Sequence, residues 1–126
     1  MQSLEIKASA ETPEVMFDKS SGVLRINGRS LPEDAFSFYQ PIIDWTEAYL
    51  RANPIQTVEL NFQLDYFNSS SGRYLLELLS KLEIYGKASL IKINWFAEED
   101  DELMIEKGHE LKSLIKLPFE VITTVQ

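Results

Sequence analysis

Val58-Glu59-Leu60-Asn61-Phe62-Gln63-Leu64-Asp65-Tyr66-Phe67-Asn68-Ser69-Ser70-Ser71-Gly72-Arg73-Tyr74-Leu75-Leu76-Glu77-Leu78-Leu79 changes its hydrophobic period in mid-course. Val58, Leu60, Phe62, Leu64 and Tyr66 alternate with Glu59, Asn61, Gln63 and Asp65, the period-two pattern of a strand with one buried face. Beyond the serines, Leu75, Leu78, Leu79 and Leu82 recur at i, i+3, i+4 and i+7, which is one face of a helix. The switch falls within Asn68 to Gly72. The stretch therefore reads as a strand over about Thr57–Tyr66, a tight polar turn, and a helix over about Ser71–Tyr85 that stops at Gly86.

Asn and Ser cap helices well because their side-chain oxygens accept from unpaired amides of the first turn. Several hydroxyls thus stand at a helix N-terminus, where free N–H groups and the positive dipole end favour an anion. Three readings of the turn are open: plain capping by one serine, a ligand phosphate held on the turn, or phosphorylation of a serine. No capping box decides among them, since Gly72, Arg73 and Tyr74 follow the serines at the third position. Residues placed to contact a phosphate or a partner here are Asn68, Ser70, Ser71, Gly72 and Arg73.

Outward from this stretch, Leu4, Ile6 and Ala8 alternate with charged residues as a short first strand. Val15–Asp18 and Val23–Asn27 form two more strands around the turn Lys19-Ser20-Ser21-Gly22, and Asn27-Gly28 is expected to turn the chain again. Pro32-Glu33-Asp34 opens a helix over about Ala35–Ala52. Phe36, Tyr39, Ile42, Ile43, Thr46, Tyr49 and Leu50 make its apolar stripe, Pro41 should kink or split it, and Asn53-Pro54 ends it. A strand over Leu90–Trp95, a weaker helix from the acidic run Glu98–Glu102 to about Ile115, and a strand over Phe119–Val125 complete the chain.

The order is β-β-β-α-β-α-β-α-β, an α/β domain with a mixed sheet. Strand–helix–strand units imply parallel neighbours with right-handed crossovers. The strands alternate instead of running apolar throughout, so the helices are expected mainly on one face, with the other solvated or covered by a partner. No linker or repeat interrupts residues 1–126, which suit one domain.

Composition narrows the function. The chain is 44% hydrophobic and 25% charged, as in ordinary globular proteins. It has no cysteine, which removes disulfides, thiol catalysis and thiolate metal sites. No signal-like apolar core or membrane-length run is present, so a cytoplasmic location is expected. The net charge of −8 disfavours binding to nucleic acid or an anionic membrane and suits a protein partner.

Catalytic and metal constellations read weakly. The single histidine, His109, has no spacing that brings it to the serines as a triad would require. A hydrolase using a turn serine is the third-ranked reading. Consecutive acids at Glu98–Glu102 suit a solvated helix N-terminus better than a cation loop, which interleaves its carboxylates with turn residues. Neither a Walker loop nor a three-glycine dinucleotide turn is present. Trp45 and Trp95 are expected in the core, and Asp44, Glu47, Arg51 and Lys81 on solvated helix faces. No cofactor is implied.

Four segments, in this order and spacing, resemble the SiaC-type regulatory phosphoproteins. They are Gly22-Val23-Leu24-Arg25-Ile26-Asn27-Gly28-Arg29-Ser30-Leu31-Pro32-Glu33, Pro41-Ile42-Ile43-Asp44-Trp45, Tyr66-Phe67-Asn68-Ser69-Ser70-Ser71 and Leu117-Pro118-Phe119. The resemblance implies a small bacterial protein with a fold like that of STAS-domain anti-sigma-factor antagonists. It implies a phosphoacceptor after the asparagine of the turn, here Ser69 where the family commonly has Thr, with Ser70 and Ser71 as neighbouring alternatives. It further implies a serine/threonine kinase, a PPM-type phosphatase, and an effector such as a diguanylate cyclase bound by the unphosphorylated form. Read from the residues alone, an anion-binding module using the serine turn remains the alternative.

Overall fold

A computed structural model describes residues 1–53 and 56–125. Its elements are β1 (Leu4–Ile6), β2 (Glu14–Phe17), β3 (Val23–Ser30), α1 (Ala35–Ala52), β4 (Thr57–Phe67), α2 (Ser69–Tyr85), β5 (Leu90–Glu98), α3 (Glu102–Leu114) and β6 (Phe119–Thr124). The strands form one six-stranded sheet in sequential order, β1 to β6. β1, β2 and β3 pair antiparallel, and β3, β4, β5 and β6 pair parallel. Each parallel step passes through a helix. Right-handed crossovers that all step in one direction place their helices on one face.

Period-two alternation selects that face. Leu24 and Ile26 of β3, Leu60 and Phe62 of β4, and Ile93 and Trp95 of β5 are fully buried. They join Tyr39, Ile42 and Ile43 of α1, Leu75, Leu78 and Leu79 of α2, and Met104 and Leu111 of α3 in a single core. Each such side chain contributes roughly 1.5–3 kcal/mol on burial. The opposite face carries Arg25, Asn61, Lys92 and Glu120; Lys92 Nζ meets the Glu120 carboxylate at 2.9 Å, and Asn94 Nδ2 donates to Asn61 Oδ1 at 2.9 Å.

Several boundaries differ from the sequence expectations. Asn27-Gly28 does not turn the chain: both lie inside β3, where Asn27 pairs with Glu14 on one side and Gln63 on the other. Gly28 instead takes φ +117°, a conformation that suits glycine, at a register shift: Gly28 faces Leu64 while Arg29 faces Tyr66. The extra residue in β4 reverses its parity. Tyr66, expected inward, is 39% exposed, and Phe67 is buried in its place.

α1 runs unbroken through Pro41. That proline is exposed, as is Ser37 one turn earlier, so the carbonyl deprived of its partner can reach water. Phe36, expected on the buried stripe, is 55% exposed, and Ala35 takes the buried position. Asp34 caps α1 by accepting from Ser37 N at 3.1 Å. Asn53 caps its C-terminus; Pro54 lies outside the described residues.

The acidic run divides among three elements instead of opening the helix together. Glu98 ends β5, Glu99 and Asp100 form a turn, and Asp101 caps α3 by accepting from Met104 N at 3.2 Å. β1 stops at Ile6, before Ala8, and Val125 lies past β6 and is exposed. Trp95 is buried, with Nε1 donating to Met104 O at 2.9 Å. Gly108 of α3 lies against its indole so closely that a Cβ would come within 2.4 Å of Trp95 Cδ1. Trp45 is only half-buried, donating from Nε1 to Gln2 O at 2.8 Å.

Candidate functional site

The serine turn lies where β4 leaves the sheet at its carboxyl end, the side on which open parallel sheets place their ligands. Helix α2 begins two residues earlier than the apolar period suggests. Asn68, not a serine, is the cap: its Oδ1 accepts from Ser71 N at 2.9 Å, with extended backbone at φ −86° and ψ 173°. Ser69, Ser70 and Ser71 therefore occupy the first three helical positions and have three different environments.

Ser69 is exposed, and its hydroxyl makes no hydrogen bond among the described residues. Ser70 is exposed, with a long contact of 3.4 Å from Oγ to Asn68 Oδ1. Ser71 is fully buried. Its hydroxyl donates to Ser30 O at 3.0 Å and lies 2.9 Å from Ser30 Oγ, which also meets the Tyr39 hydroxyl. Asn68 N donates to the same Ser30 carbonyl at 3.1 Å. The end of β3, the first turns of α1 and the start of α2 are thus tied by a buried chain of hydroxyls. Burial pushes the Tyr39 hydroxyl above its usual range, with hydrogen bonds to Ser30 and Ser71 opposing in part. It stays protonated and able to donate.

Aromatic rings surround the turn. Tyr39 stacks on Tyr74 of α2 with centroids 5.9 Å apart and planes 2° from parallel. Exposed Phe36 approaches Tyr74 edge-on at 6.5 Å. Gly72 leaves room for Phe67, since a Cβ there would fall 2.9 Å from the Phe67 ring. Lys107 of α3 places its ammonium 4.7 Å from the centre of that same ring. Arg73 is exposed.

The turn offers an exposed hydroxyl at the end of the helix dipole. It does not offer an activated nucleophile: the partners of its hydroxyls are Asn68 and Ser30, while His109 is exposed on α3. No grouping of His, Asp and Glu among the described residues could hold a metal ion, the acidic run included. No helix there is long and apolar enough to cross a membrane. Glu47 bridges Arg51 and Lys81, each at 3.5 Å, on the outer side of α1 and α2.

Sequence reasoning missed Ser30, Tyr39 and Lys107. The first was detectable by parity: counting by twos from Leu24 and Ile26 reaches Ser30, a polar residue on the buried side, and a buried hydroxyl needs a partner. Tyr39, on the apolar stripe of α1, was the matching group. Lys107 gave no signal, because only the path of α3 brings it to Phe67.

The fold and the turn together define a class of protein, a small α/β domain that presents a hydroxyl-bearing helix N-terminus at the carboxyl edge of a parallel sheet. Residues 6–124 match the model of the SiaC family regulatory phosphoproteins, and the chain belongs to that family. It is 28% identical over 122 residues to an uncharacterized protein of Pseudomonas aeruginosa strain UCBPP-PA14, covering 96% of each. Its fold matches the crystal structure of apo-SiaC from Pseudomonas aeruginosa with TM-score 0.89 and 27% identity, over 98% of this chain and 100% of that one. It matches equally well, at TM-score 0.89 and 27% identity over 96% and 99% of the two chains, a structure of the diguanylate cyclase SiaD in complex with its activator SiaC.

Proposed function

We propose that this chain is a non-enzymatic regulator whose binding to an effector is switched by reversible phosphorylation of Ser69. The observation that carries this reading is the contrast among the serines. Ser69 is exposed at the first helical position, its hydroxyl making no hydrogen bond among the described residues, whereas Ser71 is buried in the hydroxyl chain. A serine/threonine kinase can reach Ser69 without opening the fold, and a PPM-type phosphatase can reverse the modification there.

A phosphate adds about −1.5 to −2 charges and three strong acceptors. At a helix N-terminus the free amides and the dipole accommodate that charge. The domain survives while its surface changes sign. A partner packed against the neutral turn then meets a charge it must desolvate, a mismatch worth several kcal/mol, and each 1.4 kcal/mol is tenfold in affinity. SiaC of Pseudomonas aeruginosa activates the cyclase SiaD by binding it; by kinship the effector here is a diguanylate cyclase, met in the cytoplasm.

Tandem mass spectrometry of the protein from its own source, grown under several conditions, tests the acceptor. Phosphate on Ser69 that varies with condition is the expected result. Its complete absence from the turn, together with a specific micromolar nucleotide or phosphorylated metabolite in titration calorimetry, would instead establish an anion-binding module. In effector binding, Ser69→Ala keeps the complex and Ser69→Asp loses it.

A further inference from the structure

The two edges of the sheet differ. β1 is three residues long, and the chain before it is tied back, with Gln2 O accepting from Trp45 Nε1 and Met1 O from Lys19 Nζ. Short edge strands resist pairing with another chain. β6 has six residues, and among the described residues no strand lies beyond it. Residues 119–125 hold no proline, lysine or arginine, and β6 runs beside β5 without a register shift. The one charged residue of β6, Glu120, is met by Lys92 at 2.9 Å. The proline, cation and bulge that usually guard an edge are missing here.

Hydrogen bonding fixes which backbone groups of this edge face outward. Ile93 N donates to Pro118 O and Glu99 N to Thr124 O, each at 2.9 Å. Even-numbered residues of β6 therefore bond to β5. By alternation Phe119, Val121, Thr123 and Val125 point their N–H and C=O groups away from the sheet. Val125 is 79% exposed, and Ile122 is half-buried on the open face.

This edge is complementary to itself. Two β6 strands paired antiparallel about a two-fold axis at Ile122 set Val121 opposite Thr123 and Phe119 opposite Val125, all of them outward-bonding, and bring β-branched side chains together. Glu120 then faces Thr124 of the second copy and not its own counterpart. α3 has the same symmetry. Gly108 sits against Trp95, and Trp95 pairs with Val121, so the middle of α3 is level with the axis. Lys107 over Phe67 marks the β4 side of α3. The opposite flank carries Glu102, Ile105, His109 and Lys112 at i, i+3, i+7 and i+10. A two-fold rotation reverses that stripe about residue 107, bringing Glu102 opposite Lys112 of the second copy and Ile105 opposite His109. With strands about 4.8 Å apart, helices seated over β5 and β6 stand roughly 10–14 Å from each other, within reach of a Glu–Lys pair.

We propose that β6 and the outer flank of α3 form an interface with a second copy of this chain, joining two six-stranded sheets edge to edge. The net charge of −8 on each copy opposes association, but the edge itself is locally neutral and its helix flank pairs acid with base. The dimer does not depend on the serine switch. Phe67 and Gly72 lie on the other side of α3, so the serine turn of each copy stays open. One strand edge and one helix flank make a small interface, with a dissociation constant of about 10–100 μM.

Sedimentation equilibrium of the full chain tests the interface, with loading up to about 1 mM to span that range. The mass should rise from 14.5 kDa to twice that value. The chain has no cysteine, so Ile122→Cys can form a disulfide only between copies. Opposed Cα atoms of a non-hydrogen-bonded pair stand about 4.5 Å apart, within disulfide range. Oxidation should link most of Ile122→Cys and little of Glu5→Cys, placed on the β1 edge. Thr123→Pro removes an outward N–H and leaves the ladder to β5 whole, so it should keep its circular dichroism spectrum and self-associate about 30-fold more weakly. Glu102→Lys should weaken association about threefold, and adding Lys112→Glu should restore it. A mass of 14.5 kDa at every concentration, linkage through Glu5→Cys alone, or a folded Thr123→Pro that dimerises as before overturns the interface. Unchanged association of Glu102→Lys overturns the part assigned to α3.

Discussion

Placing a carboxylate at each end of the serine run separates exposed from buried positions, and the structure sets the sizes. At Ser71 the side chain is fully buried between Ser30 Oγ and the Ser30 carbonyl. A carboxylate there faces a carbonyl oxygen it cannot donate to, in a site closed to bulk solvent. An uncompensated buried charge costs about 3–5 kcal/mol. For 126 residues, at about 2.1 cal/mol/K of unfolding entropy each, 1 kcal/mol corresponds to about 4 °C in Tm. Ser71→Asp should therefore lower Tm by about 11–19 °C. At exposed Ser69 the same change adds negative charge to a helix N-terminus, a gain of about 0.3–1 kcal/mol, so Ser69→Asp should raise Tm by about 1–4 °C.

The pH dependence has a definite sign. Burial raises the folded pKa of the carboxyl introduced at position 71 above its unfolded value, so the native state binds the extra proton. Stability then falls as pH rises through the unfolded pKa, near 4, and the deficit of Ser71→Asp should narrow on acidification. Thermal unfolding followed by circular dichroism at pH 4 and pH 7 reads both effects. Equal Tm values for the two variants at pH 7 would refute the assignment of Ser71 to the interior.

Gly108→Ala should destabilise the protein despite improving helix propensity by about 1 kcal/mol. Displacing the Trp95 indole costs about 1–3 kcal/mol in overpacking and a similar amount for its orphaned Nε1–H, a net loss of about 3 kcal/mol. Urea denaturation reads it, and an unchanged midpoint would show that Trp95 yields freely. Asn68→Ala should cost about 1 kcal/mol by removing the cap of α2, and Asn68→Asp should recover most of it. Equal stability of all three would mean that the cap is idle.

Much of this architecture was legible in the residue order. The change from period two to period 3.6 around Asn68–Gly72 located the turn, and the order of nine elements followed from apolar spacing and from breakers such as Gly22 and Gly86. Alternation in β4 also carried the one-sided burial of the sheet. These signals survive because each depends on neighbours within a few residues.

The tertiary structure decided what depends on distant partners. Nothing local to Tyr66-Phe67 tells which ring faces inward; the bulge opposite Gly28 does, because inserting one residue reverses strand parity. Ser69, Ser70 and Ser71 are chemically identical in the sequence. Pairing with Ser30, 41 residues away, buries one of them and leaves Ser69 exposed. The residue order determined that a hydroxyl-bearing helix N-terminus exists. The pairing of α2 with the end of β3 and the packing of α1 determined which hydroxyl it presents, because burial is a property of contacts between segments remote in the chain.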